Sequence, residues 1–271
     1  MKFLSLYEVS QIINRCDAII EVVEARNPIS LIDTRIEKIA KRMGKEIILV
    51  LSKSDLVPRN ICLEWQEYFR DRGIVAICFS TVIKSSISRF KRFLVEHIEK
   101  RPAYYLLIGY PKVGKSSIIN ALKGYKSAPT SPYPGSPGYT KGVQLYLITP
   151  GIYIIDTPGV LPPITNDIEV TIRRQPIEMI ENPVKIAITL IERILSFDVN
   201  TFRNIYRVHS TEPIEILREL AYKKGWLMKK YREPNIDEVA RNIIRDYLNG
   251  KIPFYTSPRS ILDDVKVFKP K

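Results

Sequence analysis

The sequence predicts an α/β fold, a parallel-rich sheet between helices, joined to a small all-α C-terminal domain. Three observations carry this. Over the first 160 residues short apolar runs alternate with segments of 3.6-residue apolar spacing, the pattern of strands joined by crossover helices. The strand runs are apolar nearly throughout rather than at every second residue, as burial on both faces of a parallel sheet requires. From Ile164 onward apolar residues recur at helical spacing and no strand signal appears.

In order, Cys16 to Glu24 reads as the first strand and Ile32 to Met43 as a helix. Glu46 to Leu51 is a second, almost fully apolar strand. Trp65, Phe69 and their neighbours suit a helix, and Ile74 to Phe79 a third strand. Ile87 to Ile98 is helical, Ala103 to Ile108 is a fourth strand, and a helix follows Lys115. Two strands, 143–149 and 152–156, close this part. Ile168 to Ile180, Val184 to Phe197, Pro213 to Tyr222 and Ile236 to Leu248 read as helices, punctuated by Pro176, Pro183, Pro213 and Pro234. The expected organisation is a first domain over 1–163, a helical domain over 164–250 and an extended tail over 251–271.

Composition sets the outer limits. With 271 residues, 45% of them hydrophobic, the chain can bury a real core, and wholesale disorder is excluded. There is no Gly-x-y period and no sustained heptad run. The Met1–Leu6 run is too short for a signal peptide, and no apolar stretch nears the ~20 residues that span a bilayer. Cys16, Cys62 and Cys78 cannot all pair within the chain and none sits in a CxxC spacing, so neither a disulfide scaffold nor structural zinc is expected, and a reducing, cytoplasmic setting fits. The net charge of +13 suits a polyanionic partner, or simply a soluble like-charged surface.

Residues 109–116 match G-x-x-x-x-G-K-[ST] between a buried strand and a helix. Gly109 and Gly114 let the backbone close around phosphates and aim its N–H groups at them. Lys112, Val113, Gly114, Lys115, Ser116 and Ser117 are thereby candidate phosphate contacts, with Lys115 on the β- and γ-phosphates and Ser116 on Mg²⁺. About 40 residues later an apolar strand ends in D-x-x-G: Asp156 can hold Mg²⁺ through water, and the Gly159 N–H can bond the γ-phosphate.

A base reader is also present. Ser52, Lys53 and Asp55, closing the second strand, resemble the N-K-x-D motif of GTPases with Ser for Asn. A carboxylate at 55 accepts from guanine N1–H and N2–H₂, which adenine does not offer, and the Lys53 stem would lie over the base plane. Ser80 and Thr81, after the third strand, resemble the short motif whose backbone N–H reads guanine O6. Taken alone, the first is also a capped turn and the second a common pair.

In ordinary GTPases the base motifs follow the phosphate loop; here they precede it. This order resembles the circularly permuted GTPases, and within them the YlqF/RbgA-like ribosome-assembly group. Glu24 to Pro28 resembles that group's D-A-R-x-P segment, Ser136 to Lys141 its first switch, and Gly225 to Leu227 with Ile243 to Pro253 its C-terminal helical region. The resemblance implies a P-loop GTPase converting GTP to GDP and phosphate with Mg²⁺ during large-subunit assembly. It implies a partner in ribosomal RNA or a large ribosomal subunit precursor, no membrane partner and a monomeric state. It assigns catalysis to Lys115, Thr140 and Gly159, and Mg²⁺ to Ser116, Thr140 and Asp156. A γ-phosphate-ordered loop would lead directly into the helical domain, so its placement is expected to differ between GTP and GDP states.

Three departures bear on catalysis. Val160 stands where many GTPases place a water-orienting Gln, a substitution the family shares. Bacterial members open with a G-H-M segment whose His is a catalytic candidate; this chain begins too late for one, and His97 and His209 lie in helical patterns far from the motifs. Slow intrinsic hydrolysis, raised by a partner, is therefore expected. Lys112 replaces an Asn that in relatives can help hold K⁺; its ammonium could supply that charge itself, making turnover insensitive to K⁺, or could point to solvent.

Basic residues exceed acidic ones by nine over 1–160 and by four over the rest. Arg89, Lys91 and Arg92 lie on a helix away from the nucleotide motifs. Lys223, Lys224, Trp226, Lys229 and Lys230 form a second cluster in which cations interleave with aromatics, suiting RNA phosphates and base stacking, or equally a solvated helix end over buried aromatics. Two further readings stay open: a GTP-gated binding module with negligible hydrolysis, and an ATP-using P-loop enzyme, against which Asp55 argues.

Overall fold

A computed structural model describes residues 4–124, 143–157, 163, 165–228 and 232–262. Thr140, Gly159, Val160, Lys229 and Lys230 lie outside the described residues. The chain divides into two compact units, Met1–Pro163 with Tyr255–Lys271, and Ile164–Phe254.

The first unit opens with α1 (Leu6–Arg15), a helix absent from the sequence expectations although Ser5 and Glu8 form a complete capping box at its start. There follow β1 (Ala18–Glu24), α2 (Thr34–Arg42), β2 (Glu46–Ser52), α3 (Arg59–Arg70), β3 (Val75–Cys78), α4 (Lys84–His97), β4 (Ala103–Ile108), α5 (Lys115–Lys123), β5 (Gln144–Thr149) and β6 (Ile152–Asp156). They build one six-stranded sheet in the order β3-β2-β1-β4-β6-β5, parallel throughout except for β5, which runs antiparallel to β6. All seven β1 residues are buried, which explains why this strand lacks polar alternation. Val9 and Ile13 of α1 and Ile36 and Ala40 of α2 pack in one cluster with Ile19, Leu106, Ile108 and Ile155. Trp65, Phe69, Phe79 and Phe90 are buried as well.

This strand order determines where function can lie. From β1 the chain proceeds outward to β2 and β3, then returns to place β4 on the other side of β1. In such sheets the ligand crevice opens beyond the carboxyl ends of the strands, at the point where the order reverses. Glu24, Ser52, Cys78, Ile108 and Asp156 are the last residues of the five parallel strands, so the motifs that follow them share one edge.

Two expectations are corrected in this unit. Cys62 of α3 and Cys78 of β3 form a disulfide, because α3 packs on β3; only Cys16 is free among the described cysteines, with burial pushing its thiol up to about 11. The tail is not simply extended. Pro258–Leu262 is a helix, α11, after the helical unit closes at Phe254. Thr256 donates its N–H and hydroxyl to the Arg26 carbonyl (2.7 and 3.1 Å), and its own carbonyl accepts the Trp65 indole N–H (3.0 Å). Arg26 and Trp65 are both buried, so these polar groups need partners that solvent cannot supply.

The second unit contains α6 (Ile168–Arg174), α7 (Pro183–Phe197), α8 (Thr201–Tyr206), α9 (Pro213–Lys224) and α10 (Ile236–Leu248). Leu190, Ile191, Ile194, Leu217, Leu220, Ile243 and Ile244 meet in its core. The helix expected over Ile168 to Ile180 stops at Arg174 and resumes as a 3₁₀ turn at Ile177–Met179, since Pro176 has no N–H to donate and disfavours helical geometry in the residue before it. The short α8 was not anticipated. Among the described residues no helix is long and apolar enough to cross a membrane.

Candidate functional site

The loop after β4 shapes the site. Gly109 has φ +145°, and a Cβ there would stand 2.5 Å from the Val22 carbonyl oxygen, so the close approach of loop to strand β1 admits only glycine. Lys112 and Gly114 also take positive φ, +64° and +105°, and the loop turns into α5 at Lys115. Between these elements lies a cleft of about 400 Å³ lined by Lys53, Pro111, Lys112, Gly114, Lys115, Ser116, Ser117, Asp156 and Thr157. That volume suits a nucleotide-sized ligand. Lys112, Ser116 and Ser117 are exposed and line it, whereas Val113 is buried and is not part of its lining.

Two ionisable groups of opposite sign meet here. The Lys115 ammonium donates to the carbonyls of Gly109 (2.7 Å) and Tyr110 (2.9 Å), so the loop holds its own lysine. Burial pushes this ammonium down to about 8, against the opposing pull of Asp156. Burial likewise pushes the Asp156 carboxyl up to about 6, opposed by Lys115 and a Thr157 backbone hydrogen bond. Asp156 Oδ1 is buried with no hydrogen-bond partner among the described residues. A polar atom in that state is one that a ligand is expected to satisfy.

The base-side residues assemble next to it. Ser52 is buried, and its hydroxyl donates to the Val113 carbonyl at 2.6 Å, with the Val23 carbonyl 3.0 Å away. It is thus a tie between β2 and the phosphate loop rather than a residue open to the base. Lys53, at φ +52°, lines the cleft and pairs with Glu24 at 2.8 Å; Glu24 also pairs with the buried Arg26. Asp55 is exposed, and the buried Ser80 hydroxyl donates to its Oδ1 at 2.5 Å. The Ser80 N–H is already given to Ser86 Oγ (3.0 Å), which leaves the neighbouring exposed Thr81 N–H as the donor suited to a base carbonyl. Thr157, the second residue of the D-x-x-G motif, also lines the cleft; its hydroxyl donates to the Leu107 carbonyl (3.3 Å), which ties this part of the cleft to the end of β4.

The family described as RsgA GTPase matches residues 6–163, more than half of the chain. The chain belongs to this GTPase family. The family described as 50S ribosome-binding GTPase matches residues 104–224. Among individual proteins, a GTP-binding protein of Methanocaldococcus jannaschii, MJ1464, is 34% identical over 248 residues, 91% of this chain and 65% of that protein. Nucleolar GTP-binding protein 2 of Schizosaccharomyces pombe is 30% identical over 266 residues, 94% of this chain and 48% of that protein. The chain therefore spans from about half to two thirds of the length of these relatives. In fold it is similar to GNP-bound YlqF from T. maritima, with a TM-score of 0.62 at 23% identity over 92% of this chain and 95% of that one. The permuted, base-first P-loop GTPase fold is thereby established, as the motif order predicted.

For a GTPase the metal question follows at once. Ser116 and Asp156 both line the cleft with oxygen donors, and Asp156 Oδ1 has no other partner among the described residues. Mg²⁺ takes oxygen ligands and usually keeps waters and substrate phosphates in its shell, so two protein groups fit it. Among the described residues no group of three or more His, Cys, Asp or Glu is placed to hold a metal ion.

The two basic clusters differ. Lys84, Arg89 and Arg92 of α4 are exposed and Lys91 is half-buried. In the helical unit, Lys223 donates to the Arg207 carbonyl (3.2 Å) and Lys224 to Asn242 Oδ1 (2.9 Å). Trp226 is half-buried against the helical core, and the Lys224 ammonium lies 4.6 Å from its ring centre. Its indole is therefore partly occupied from within, which weakens the expected stacking role. His97 stacks on Phe93 and faces Glu46, and the His209 backbone N–H bonds Glu219.

Proposed function

We propose that this chain binds GTP, hydrolyses it to GDP and phosphate, and acts in assembly of the large ribosomal subunit through contact with ribosomal RNA. One observation carries the reading: phosphate loop, Mg²⁺-type aspartate and guanine-type carboxylate stand at one edge of a single parallel sheet, in the base-first order. The ribosomal setting is supported by the description of the 50S ribosome-binding family and by the nucleolar relative. The chain would act as a cytoplasmic monomer, alongside a large-subunit precursor and away from membranes.

In this mechanism Lys115 leaves the Gly109 and Tyr110 carbonyls to meet the β- and γ-phosphates, and loop N–H groups hold the remaining phosphate oxygens. Ser116 and Asp156, with Thr140 from sequence, would hold Mg²⁺, which neutralises charge developing on the transferred phosphoryl group. Gly159 would contribute its N–H to the γ-phosphate. Asp55, steadied by Ser80, accepts from the guanine edge, and Lys53 covers the base. Lys112 lines the cleft with a permanent positive charge, so turnover is independent of K⁺. Equal rates in Na⁺ and K⁺ buffers support this last point, and strong K⁺ stimulation refutes it.

Hydrolysis measured alone and with large-subunit precursor particles tests the whole reading. Slow turnover that rises with the particles is expected. Turnover that never exceeds the uncatalysed rate would leave only the GTP-gated binding module.

A further inference from the structure

Helix α4 carries Lys84, Arg89, Lys91 and Arg92 within nine positions, and not one of them makes an ion pair or hydrogen bond among the described residues. Some cations of other helices are paired, Arg35 with Asp33, Arg70 with Glu67, Arg218 with Glu215 and Arg245 with Glu178, and the unpaired Lys41 and Arg42 of α2 sit in that helix's last turn, where the dipole favours cations. Even Glu96, one turn beyond Arg92, is outside ion-pair distance.

The first of these charges, Lys84, works against its own helix. The positive end of a helix dipole lies at its N-terminus, where acids stabilise and cations do not. The first turn of α4 has no acidic residue and no side-chain cap, and Lys84 is its first residue. Arg89 and Arg92, three residues apart, repel each other as well. By comparison, α10 begins with an Asn235 cap and has Asp237 and Glu238 in its first turn. Helix stability therefore gives no reason for the α4 cations.

We propose that the exposed face of α4 is a docking surface for the phosphate backbone of RNA; this rests on the reading of RNA as the partner and assigns its contact to the GTPase unit. Charge complementarity selects this occupant. Guanidinium groups offer paired donors to phosphate oxygens, and unpaired cations need break no existing bond to do so. Ser85 and Ser88, both exposed and short, leave the cations standing clear on that face. A protein partner would favour an apolar centre to the patch. Here the centre is Arg and Ser, and the exposed Val82 and Ile83 lie before the helix begins. The α9 cluster is the weaker candidate, because Lys223 and Lys224 already have partners. Helix α4 is also firmly placed: its buried Ser86 accepts the N–H of Ser80, so the docking face is tied directly to the segment that steadies Asp55.

The test uses the full chain loaded with GDP and a labelled duplex RNA of about 20 base pairs, long enough for shape-directed contacts. Binding is measured from about 50 to 200 mM salt for the wild type, for R89A/K91A/R92A, and for R89K/R92K. The triple variant should bind at least ~10-fold more weakly at low salt, with a log–log salt slope shallower by two to three, while the Lys variant keeps the wild-type slope. Unchanged GDP affinity and melting temperature in the triple variant exclude a folding effect. Equal RNA affinity and slope in wild type and triple variant would overturn the α4 assignment alone. Wild type that ignores RNA but binds polyglutamate through these residues would mean an acidic protein partner and overturn both the assignment and the RNA reading, with GTP turnover left untouched.

Discussion

Glu169 of the helical unit and Asp156 of the GTPase unit both hold carboxylate oxygens away from solvent, and the two are treated in opposite ways. In the helical unit Glu169 is fully enclosed; it pairs with the buried Arg173 one turn away, accepts the Tyr247 hydroxyl, and has Arg193 3.7 Å off. In the GTPase unit Asp156 has a buried oxygen with no hydrogen-bond partner among the described residues, and among those residues its neighbour Lys115 bonds only loop carbonyls. A network in which buried charges pair with one another, as Glu169 does with Arg173, holds architecture together even though Arg173 Nε has no hydrogen-bond partner among the described residues. A carboxylate whose buried oxygen meets no such partner keeps its bonding capacity for a ligand, at some cost in stability.

Breaking the Glu169–Arg173 pair should have the largest effect. Glu169→Ala strands Arg173 in the core, and a loss of about 3–5 kcal/mol is expected in denaturant unfolding of the helical unit, with GDP affinity of the folded protein unchanged. If GDP affinity fell in parallel, the division of labour between the two carboxylates would be wrong.

Next comes Lys115→Ala, which should weaken GDP and GTP binding by about 10²–10³-fold in a titration while leaving the melting temperature at or above wild type. A lysine satisfied by its own loop for structural reasons would instead lower stability and spare affinity.

The open pair also predicts a pH window. Below about 6 Asp156 becomes protonated and would lose the hold on Mg²⁺ proposed for it; above about 8 the free protein loses the Lys115 charge, which bound phosphates would have to restore. Mg²⁺-nucleotide affinity should therefore peak between these values and fall by up to about tenfold per pH unit outside them. Because the folded Asp156 carboxyl titrates above its unfolded value, its contribution to stability is present in acid and lost as pH rises through about 6. Asp156→Asn should abolish the acid limb of the affinity profile and raise apo stability above pH 6.

The smallest effect belongs to Ser52→Ala. Loss of one buried hydroxyl bond to the Val113 carbonyl should cost about 1 kcal/mol and loosen nucleotide binding a few-fold, read as faster GDP release.

Much of this was legible in the chain itself, for identifiable reasons. The apolar runs of β1, β2 and β4 could belong only to buried strands, and the glycine spacing at 109–114 has a direct backbone meaning. What escaped depends on contacts distant in sequence. Ser52 and Val113 are 61 residues apart, so the serine read as a variant base contact and emerged as a buried tie. No spacing rule reveals that α3 sets Cys62 against Cys78, or that Thr256 returns to Arg26 across 230 residues. The signal for α1 was local, in Ser5 and Glu8, and was passed over. Trp226 stayed open between a stacking platform and a buried aromatic because sequence cannot reveal which face of a ring the core already covers.

The central claim is that residues ahead of the phosphate loop form a guanine site with it. Calorimetric titration of the intact protein with Mg·GDP and Mg·ADP at pH 7, for wild type and Asp55→Asn, tests this directly. Wild type should prefer GDP by at least ~100-fold, and the Asn variant should lose most of that preference, since a site built around the guanine edge rejects a base lacking it. Equal affinity for the two nucleotides, or a preference that survives Asp55→Asn, would contradict the account.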